Sequence, residues 1–240
     1  MIKTQEKIRK KKFPDYGTCE VADQALAHMM NLARKISYAN GLIHQGVWDY
    51  RRNIPIRRLG QCAVGICGVG RIGSEFAKRA AALGSKIIAY DIEEKDTHRH
   101  FPDFVEFVSF EELLERSDIL SIHCPLDEYT RHMFSDREFA KMKDSALLIN
   151  VARGGIVDED ALLRALQEKK IAGAALDVVE KEPLLPDNPL LSLDNFVVTP
   201  HSAWYSEESS HELKRKAAEE GVRFLKGEAV HYSVRKKAEL

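Results

Sequence analysis

Residues 63–91 read AVGICGVGRIGSEFAKRAAALGSKIIAYD, and this stretch decides the fold. A short apolar run at residues 63–67 leads into the glycine-rich residues 68–73, after which apolar residues recur at helical spacing up to Gly84. Residues 86–90 form a second apolar run, which ends at Asp91. A strand, a glycine turn, a helix and a second strand in this order predict a βαβ unit.

The three glycines of the turn match the GxGxxG fingerprint of dinucleotide-binding proteins. Gly68 permits the tight turn, Gly70 lets the backbone approach a pyrophosphate, and Gly73 lets the helix pack closely on the strand. The phosphates would face the positive N-terminus of the helix. Asp91 would accept hydrogen bonds from the adenosine ribose and repel a 2′-phosphate, so NAD is favoured over NADP. A purely structural turn is the alternative, but the flanking strand, helix and acid favour nucleotide binding.

The composition is that of an ordinary globular protein. Of the 240 residues, 44% are hydrophobic and 30% are charged, and the formal net charge is −1. No bulk field therefore attracts nucleic acid or an anionic membrane. Residues 1–13 are locally basic, which could indicate a nucleic-acid arm, but we favour a solvated terminal helix or tail. No apolar run suits a signal peptide or a membrane span, so we expect neither secretion nor insertion.

The four cysteines and the histidine beside one of them give no metal-site pattern. Cys19, Cys62, Cys67 and Cys124 lack the pairing of a zinc site and the density of a disulfide scaffold. We therefore expect buried thiols in a reducing cytoplasm. His123 precedes Cys124 and could suggest a metal pair, but since no other ligands share the spacing, we favour a strand-end residue near the adenine.

The segment before the glycine turn predicts a long helix followed by an arm. Residues 20–40 place apolar side chains, two methionines among them, along one side of a helix, with Thr18 as N-cap and Asn40-Gly41 as its stop. This face would belong to the core or to a subunit interface. Residues 42–59 show no period, but Trp48 and Tyr50 make them too apolar for a free linker. We expect an arm that packs against something, such as a second subunit of a homodimer.

The rest of the chain alternates helices and strands. Residues 98–107 are expected to be an irregular connection. Helices are predicted at 111–116, 137–142, 159–167 with Asp158 as cap, and 207–226; strands are predicted at 119–123, 146–151, 172–178 and 196–199; and 181–194 is expected to be a loop. Such alternation predicts an α/β fold with a doubly wound parallel sheet of the Rossmann type.

Three chemically active side chains follow the later strands of this predicted sheet. Arg153 comes after strand 146–151, Glu182 follows strand 172–178, and His201 comes directly after strand 196–199. Ligands bind beyond the carboxyl ends of the strands in such sheets. Arginine offers a substrate carboxylate two parallel hydrogen bonds, and histidine exchanges a proton near neutral pH while a carboxylate fixes its tautomer. With a nicotinamide, the trio predicts reversible hydride transfer on a 2-hydroxy acid.

Each member of the trio also has a structural interpretation. Arg153 could pair with Asp158, Glu182 could be a solvated loop acid, and His201 after a proline could have a structural role. Singly, we would favour these interpretations, but their joint position at one sheet edge favours catalysis.

The motifs resemble those of the D-isomer-specific 2-hydroxyacid dehydrogenases. The resemblance rests on GVGRIG at 68–73, NVARGGIVDEDAL at 150–162, residues 177–183 and Thr199-Pro200-His201, and it covers nearly the whole chain from residue 14 onward. Residues 200–207, PHSAWYSE, look closer to the branch shared by phosphoglycerate dehydrogenase-like enzymes and the C-terminal-binding-protein corepressors.

This resemblance implies a role for each site residue. Arg153 would bind the substrate carboxylate and carbonyl, His201 would be the acid/base, and Glu182 its partner. Asp177 would hold the nicotinamide carboxamide. The implied cofactor-binding residues are Gly68, Gly70, Arg71, Ile72, Gly73, Asp91, Cys124, Pro125, Thr130, Val151, Ala152, Arg153, Asp177, His201 and Ala203. The family also dimerises through the counterparts of the 20–40 helix and the arm.

The resemblance also implies a departure at the N-terminus. Family members carry a flavodoxin-like substrate domain before the equivalent of residue 14, so we expect residues 1–13 to be a basic remnant, 14–205 the NAD-binding domain, and 206–240 a C-terminal helix and tail. Without that lid, hydride transfer by this chain alone is expected to be orders of magnitude slower than about 10 s⁻¹. A non-catalytic, NAD(H)-binding dimer like the corepressors is the alternative function.

Overall fold

Seven parallel strands form one sheet in the computed structural model, which describes residues 15–92 and 103–231. The strands are β1 (Ala63–Cys67), β2 (Lys86–Tyr90), β3 (Val105–Phe107), β4 (Ile119–Ile122), β5 (Leu147–Asn150), β6 (Gly173–Leu176) and β7 (Phe196–Val198). Their order across the sheet is β3-β2-β1-β4-β5-β6-β7. The predicted doubly wound sheet is confirmed. The order reverses between β1 and β4, which is where such sheets bind ligands.

The described residues form helices α1 (Thr18–Arg34), α2 (Ile36–His44), α3 (Arg71–Ala82), α4 (Phe110–Arg116), α5 (Asp136–Phe139), α6 (Glu159–Gln167) and α7 (Glu207–Leu225). Of these, α1 and α3 to α6 cover the two faces of the sheet. Met29 of α1 and Phe76 of α3 are fully buried in one core cluster, whereas Leu113 of α4, Phe139 of α5 and Leu162 of α6 belong to another. Both faces of a parallel sheet are thereby buried, as its continuous apolar runs require.

Two predictions about the connections are wrong. The single helix at 20–40 is two helices, because Lys35 takes a left-handed conformation (φ 54°) between α1 and α2, and Gly41 lies inside α2 instead of ending it. The predicted irregular connection contains β3, whose three residues pair with β2. So short an edge strand carries too little periodicity to be recognised from sequence. Residues 93–102 lie outside the described residues.

The arm between α2 and β1 exposes apolar side chains. It contains two short 3-10 turns, Tyr50–Asn53 and Leu59–Gln61. Trp48 is 88% exposed and Tyr50 is 79% exposed, and no residue of α2 is buried. Together these side chains make an apolar surface that is exposed in the described part of the chain.

The chain divides into two units, residues 21–203 and residues 1–20 with 204–240. The second unit is built around α7, whose N-terminus is capped by Ser206. Lys216 of α7 pairs with Asp15 at 2.9 Å, and the Tyr16 and Trp204 rings meet edge to face at 6.1 Å. The predicted basic segment at 1–13 lies outside the described residues.

All four cysteines are free thiols, but they are not all buried. Cys62 and Cys67 are buried, Cys124 is half-buried and Cys19 is exposed. The expectation of four buried thiols is therefore wrong for Cys19, whose position on α1 points to solvent. Among the described residues, no helix combines the length and the apolar composition that crossing a lipid bilayer requires.

Candidate active site

The glycine turn after β1 leaves no room for a larger residue at its first and third glycines, Gly68 and Gly73. Gly68 has a φ of +94°, and a Cβ there would lie 2.7 Å from the backbone nitrogen of Cys124. A Cβ on Gly73 would lie 2.2 Å from the carbonyl oxygen of Gly68. The turn, the start of α3 and the end of β4 are therefore in direct backbone contact, as the fingerprint predicts.

The N-terminus of α3 fits a pyrophosphate. Gly70 is its N-cap and provides no side-chain hydrogen bond, and a Cβ on Gly70 would meet no described atom within 4 Å. Arg71 is exposed and Ile72 is half-buried at the same end. Uncapped N–H groups at the positive end of a helix form an anion site, so this end can hold the phosphates of a dinucleotide.

Asp91 lies beside the glycine turn at the end of β2. Its Oδ2 accepts a hydrogen bond from the Val69 N–H at 2.6 Å, so the carboxylate also holds the turn. Across the turn lies Cys124, which precedes the exposed Pro125. The Thr130 hydroxyl donates to the Pro125 carbonyl at 2.7 Å. The structure thus places Asp91 and Cys124 at the turn, whereas Thr130 is held within its own loop.

Arg153 is positioned by the backbone around it. Asn150, the last residue of β5, donates to the Arg153 carbonyl at 2.9 Å and accepts from the Ala152 N–H at 3.0 Å. A Cβ on Gly154 would lie 2.0 Å from the carbonyl carbon and oxygen of Val179, so this turn touches the chain that leads to Glu182. Val151 is buried beneath the turn, whereas the Arg153 side chain is exposed. The guanidinium donates to the Ala152 carbonyl at 2.6 Å and remains accessible to a ligand above the sheet edge.

His201 and Glu182 form a hydrogen-bonded pair. His201 Nδ1 lies 2.7 Å from Glu182 Oε2, and Glu182 Oε1 accepts from the Val179 N–H at 3.3 Å. Desolvation alone would raise the pKa of Glu182, but the hydrogen bonds from His201 and Val179 and the charges of His201 and Arg153 outweigh it and lower that pKa. Glu182 is thus an anion that holds Nδ1, which leaves Nε2 of His201 to exchange a proton.

Asp177 fixes the turn that carries His201. The carboxylate is buried and accepts from the Thr199 hydroxyl at 2.5 Å and from the N–H groups of Ser202 and Ala203 at 3.1 and 2.9 Å. The His201 N–H donates to the Asp177 carbonyl at 2.8 Å, and His201 takes a φ of 53°. A left-handed histidine is unusual, so these bonds impose the conformation that presents the ring.

The hydrogen bonds of Asp177 continue to α1 through a histidine that the sequence left unassigned. His28 Nε2 lies 3.1 Å from the Thr199 hydroxyl, and Gln24 donates to the same hydroxyl at 3.2 Å. Burial lowers the pKa of His28, although the charge of Asp177 opposes this. Spacing alone gives no signal for this contact, because 171 residues separate His28 from Thr199.

The predicted residues thus fall into two groups along one sheet edge. The glycine turn, Asp91 and Cys124 lie at the ends of β1, β2 and β4, and the three predicted catalytic residues lie beyond β5, β6 and β7. Sequence reasoning missed the supporting contacts of Asn150, Gly154 and Thr199, although all three stand inside the quoted motifs. Such a sheet edge, with an anion site at its switch point, defines a dinucleotide-binding domain.

The family follows from comparison with known proteins. The family model for the D-isomer specific 2-hydroxyacid dehydrogenase, NAD binding domain, matches residues 26–203. The chain therefore belongs to this family, and its cofactor is NAD. The predicted resemblance is confirmed.

Individual relatives agree with this assignment. The chain is 41% identical over 222 residues to a D-3-phosphoglycerate dehydrogenase of Archaeoglobus fulgidus, covering 92% of this chain and 42% of the relative. It is 41% identical over 220 residues to a glyoxylate reductase of Korarchaeum cryptofilum, covering 90% and 65%. The structure of a D-lactate dehydrogenase with NAD+ from Lactobacillus jensenii superposes with a TM-score of 0.85 at 30% identity, covering 94% of this chain and 71% of the other. The chain spans less than two thirds of both curated relatives.

Proposed function

We propose that the chain is the cofactor-binding and catalytic part of an NAD-dependent oxidoreductase that interconverts D-2-hydroxy acids and 2-keto acids. The observation that carries this proposal is the His201–Glu182 pair at 2.7 Å, on the same sheet edge as the glycine turn and with the charge of Arg153 acting on Glu182. An acid/base histidine, an oriented carboxylate and an arginine are the groups that this reaction needs.

Each side chain has a defined task in this mechanism. NAD, when bound, supplies the two-electron redox chemistry. Arg153 binds the substrate carboxylate and orients the carbon that reacts. His201 donates a proton from Nε2 to the carbonyl oxygen during reduction and takes it back during oxidation. Glu182 stabilises the charged imidazole, while Asp177, through Thr199 and the N–H groups beyond His201, keeps the ring in place.

The predicted cofactor contacts are divided between the two groups of residues along the sheet edge. The uncapped N–H groups of α3, from Arg71 onward, would hold the pyrophosphate. Asp91 would accept hydrogen bonds from the adenosine ribose, and its charge would repel a 2′-phosphate. Val151 and Ala203 would line the groove beside the nicotinamide.

The proposal is tested by following NADH absorbance at enzyme concentrations close to that of NADH, so that slow turnover is detected. Glyoxylate, pyruvate, hydroxypyruvate and 3-phosphohydroxypyruvate cover the relatives' substrates. We expect oxidation of NADH with at least one of them, and formation of the D-enantiomer where the product is chiral. NADH binding without turnover on any 2-keto acid would contradict the proposal and favour the non-catalytic, corepressor-like function.

We propose further that the chain forms a homodimer through α2 and the arm, in a reducing compartment such as the cytoplasm. The exposure of Trp48, Tyr50 and Ile54 supports this interface, because three large apolar side chains on one arm are costly in water. Sedimentation at micromolar concentration should give twice the chain mass, and Trp48→Ser should weaken the dimer. A monomer at all concentrations would contradict the proposal.

A further inference from the structure

Two cysteines meet at the switch point of the sheet. Cys67 is the last residue of β1 and is opposite Ile122 of the neighbouring strand β4, while Cys124 lies two residues beyond Ile122. The His123 N–H donates to the Cys67 carbonyl at 2.8 Å, so the backbone of β4 remains paired with β1 up to the residue before Cys124. The two cysteines are therefore held by paired strand ends instead of free loops.

The two cysteines also lie close together, and each thiol acts on the pKa of the other. The intervening turn is tight, since a Cβ on Gly68 would lie 2.9 Å from the Cα of Cys124. Both side chains pack in the same core cluster. Because the backbone brings the two cysteines this close, their sulfurs can be joined without a large movement of the strand ends.

The contact makes the two thiols unequal. The hydrogen bond from Cys67 lowers the pKa of Cys124, although desolvation opposes this. The same hydrogen bond, together with burial, raises the pKa of Cys67 well above its usual value. Cys124 is half-buried and Cys67 is buried. A more acidic, more accessible thiol beside a buried neutral one is the arrangement of a peroxide-reactive cysteine and its resolving partner.

We propose that Cys67 and Cys124 form a peroxide-sensitive modification site that closes reversibly to a disulfide. The Cys124 thiolate attacks one oxygen of hydrogen peroxide, the O–O bond breaks, and hydroxide leaves with the electron pair, so that Cys124 becomes a sulfenic acid. The Cys67 sulfur then attacks the Cys124 sulfur, the S–O bond breaks, and the leaving hydroxide takes the Cys67 proton as water. Two thiols and one peroxide give one disulfide and two waters.

Bound cofactor should protect this site, a step that rests on NAD binding at the switch point. Cys124 contacts the backbone of Gly68, the first glycine of the turn that faces the pyrophosphate. A dinucleotide over this turn would cover the accessible side of Cys124 and add negative charge beside it, which disfavours the thiolate. The pair would therefore be oxidised mainly in molecules without cofactor.

The experiment treats the reduced 240-residue chain with hydrogen peroxide, alkylates the remaining thiols and digests the protein with trypsin. We expect a cross-link between peptide 59–71, which contains Cys62 and Cys67, and peptide 117–131, which contains Cys124. Fragmentation of the linked peptides assigns the bond, and the Cys62→Ser variant confirms it with one cysteine fewer. Dithiothreitol should reverse the link. Cys67→Ser should instead let Cys124 proceed to sulfinic acid.

Two results would overturn the proposal. In the first, Cys124 of the unmodified protein is oxidised to sulfinic acid while Cys67 is recovered as an alkylated, reduced thiol. In the second, the disulfide joins Cys124 to Cys62 or Cys19 instead of Cys67. Cys62 is the matched control, because it is buried at the opposite end of β1 and its thiol donates to the Arg58 carbonyl. Saturating NADH, with binding verified by calorimetry, should slow the cross-link several-fold. An unchanged rate with NADH bound would refute the protection, whereas absent binding would refute the cofactor site itself.

Discussion

The turn after β1 and the turn that carries His201 lie on the same sheet edge but are built in different ways. The first depends on Gly68 and Gly73, whose missing side chains let the backbone of the turn touch the start of α3 and the residues after β4. The second depends on Asp177, a buried carboxylate that accepts three hydrogen bonds from residues 199–203. The cofactor half of the edge thus relies on missing side chains, and the catalytic half on hydrogen-bonded ones.

The two halves also differ in the burial and hydrogen bonding of the histidine that each contains. His123, at the end of β4, has a buried Nδ1 with no partner among the described residues, and desolvation lowers its pKa to about 3. His201 is exposed, and its Nδ1 is held by Glu182. The neutral histidine belongs to the half that meets phosphates through backbone N–H groups, and the exchangeable one to the half proposed to move a proton.

The largest effect on stability is expected at Gly154 in the catalytic half, where the missing side chain also lets two backbone segments touch. Gly154→Ala should lower the free energy of unfolding by about 3 kcal/mol, because its Cβ would overlap the Val179 carbonyl. Gly73→Ala should cost about 2 kcal/mol, since better helix propensity offsets part of the clash with Gly68. Urea unfolding measures both.

The matched control is Gly221→Ala, in the interior of α7, where an added Cβ meets no described atom within 4 Å. It should raise the free energy of unfolding by up to about 1 kcal/mol. A Gly154→Ala protein as stable as its parent would show that the catalytic half does not need this contact.

A smaller effect, about 2 kcal/mol, is expected on the free energy of unfolding when the pH is lowered. Because His123 has its pKa lowered from 6.5 to about 3, the unfolded chain binds more protons between these values, and the stability falls as the pH drops through this window. Between pH 7.5 and 5, the unmodified protein should lose about 2 kcal/mol more than His123→Gln does.

The exposed residue His44 provides the control, because His44→Gln makes the same replacement outside the core. Unfolding curves at several pH values decide the matter. Equal slopes in the His123→Gln variant and the unmodified protein would mean that His123 is not held neutral by burial.

The smallest effect is expected on the preference of the cofactor half for NADH over NADPH. Asp91→Ala should weaken NADH binding by about 1–2 kcal/mol and narrow its advantage over NADPH, because the ribose loses an acceptor and the 2′-phosphate loses a repelling charge. Asp91→Asn is the sharper variant, since an amide oxygen can still accept from the Val69 N–H. Calorimetric titration with both cofactors measures the change, and equal affinities in the unmodified protein would remove this role from Asp91.

The structure of the cofactor half could be predicted from the sequence more fully than that of the catalytic half. The contact of Gly73 with Gly68 is local, and helical and strand periodicity on both sides identifies the turn. The residues Arg153, Glu182 and His201 were found because each follows a strand, but the groups that hold them depend on pairing between distant strands. Contacts such as Thr199 with His28 follow from topology and leave no periodic pattern.

The failures at residues 20–40 and at β3 have related causes. The left-handed conformation at residue 35 is taken by a lysine, so no glycine marks it in the sequence. The apolar pattern therefore continues across the break in the helix. β3 is three residues long and is defined by its pairing with β2 rather than by its composition. Tertiary contacts decide both features.

The most direct test of the proposed division of labour measures binding and turnover on the same preparations of the unmodified protein, His201→Gln and Arg153→Ala. Calorimetry gives the NADH dissociation constant, and NADH absorbance gives the rate with the best 2-keto acid. We predict that both variants bind NADH within a few-fold of the unmodified protein, while the rate falls by about 100-fold or more. Turnover that is indifferent to His201, or a loss of NADH affinity as large as the loss of rate, would contradict the account.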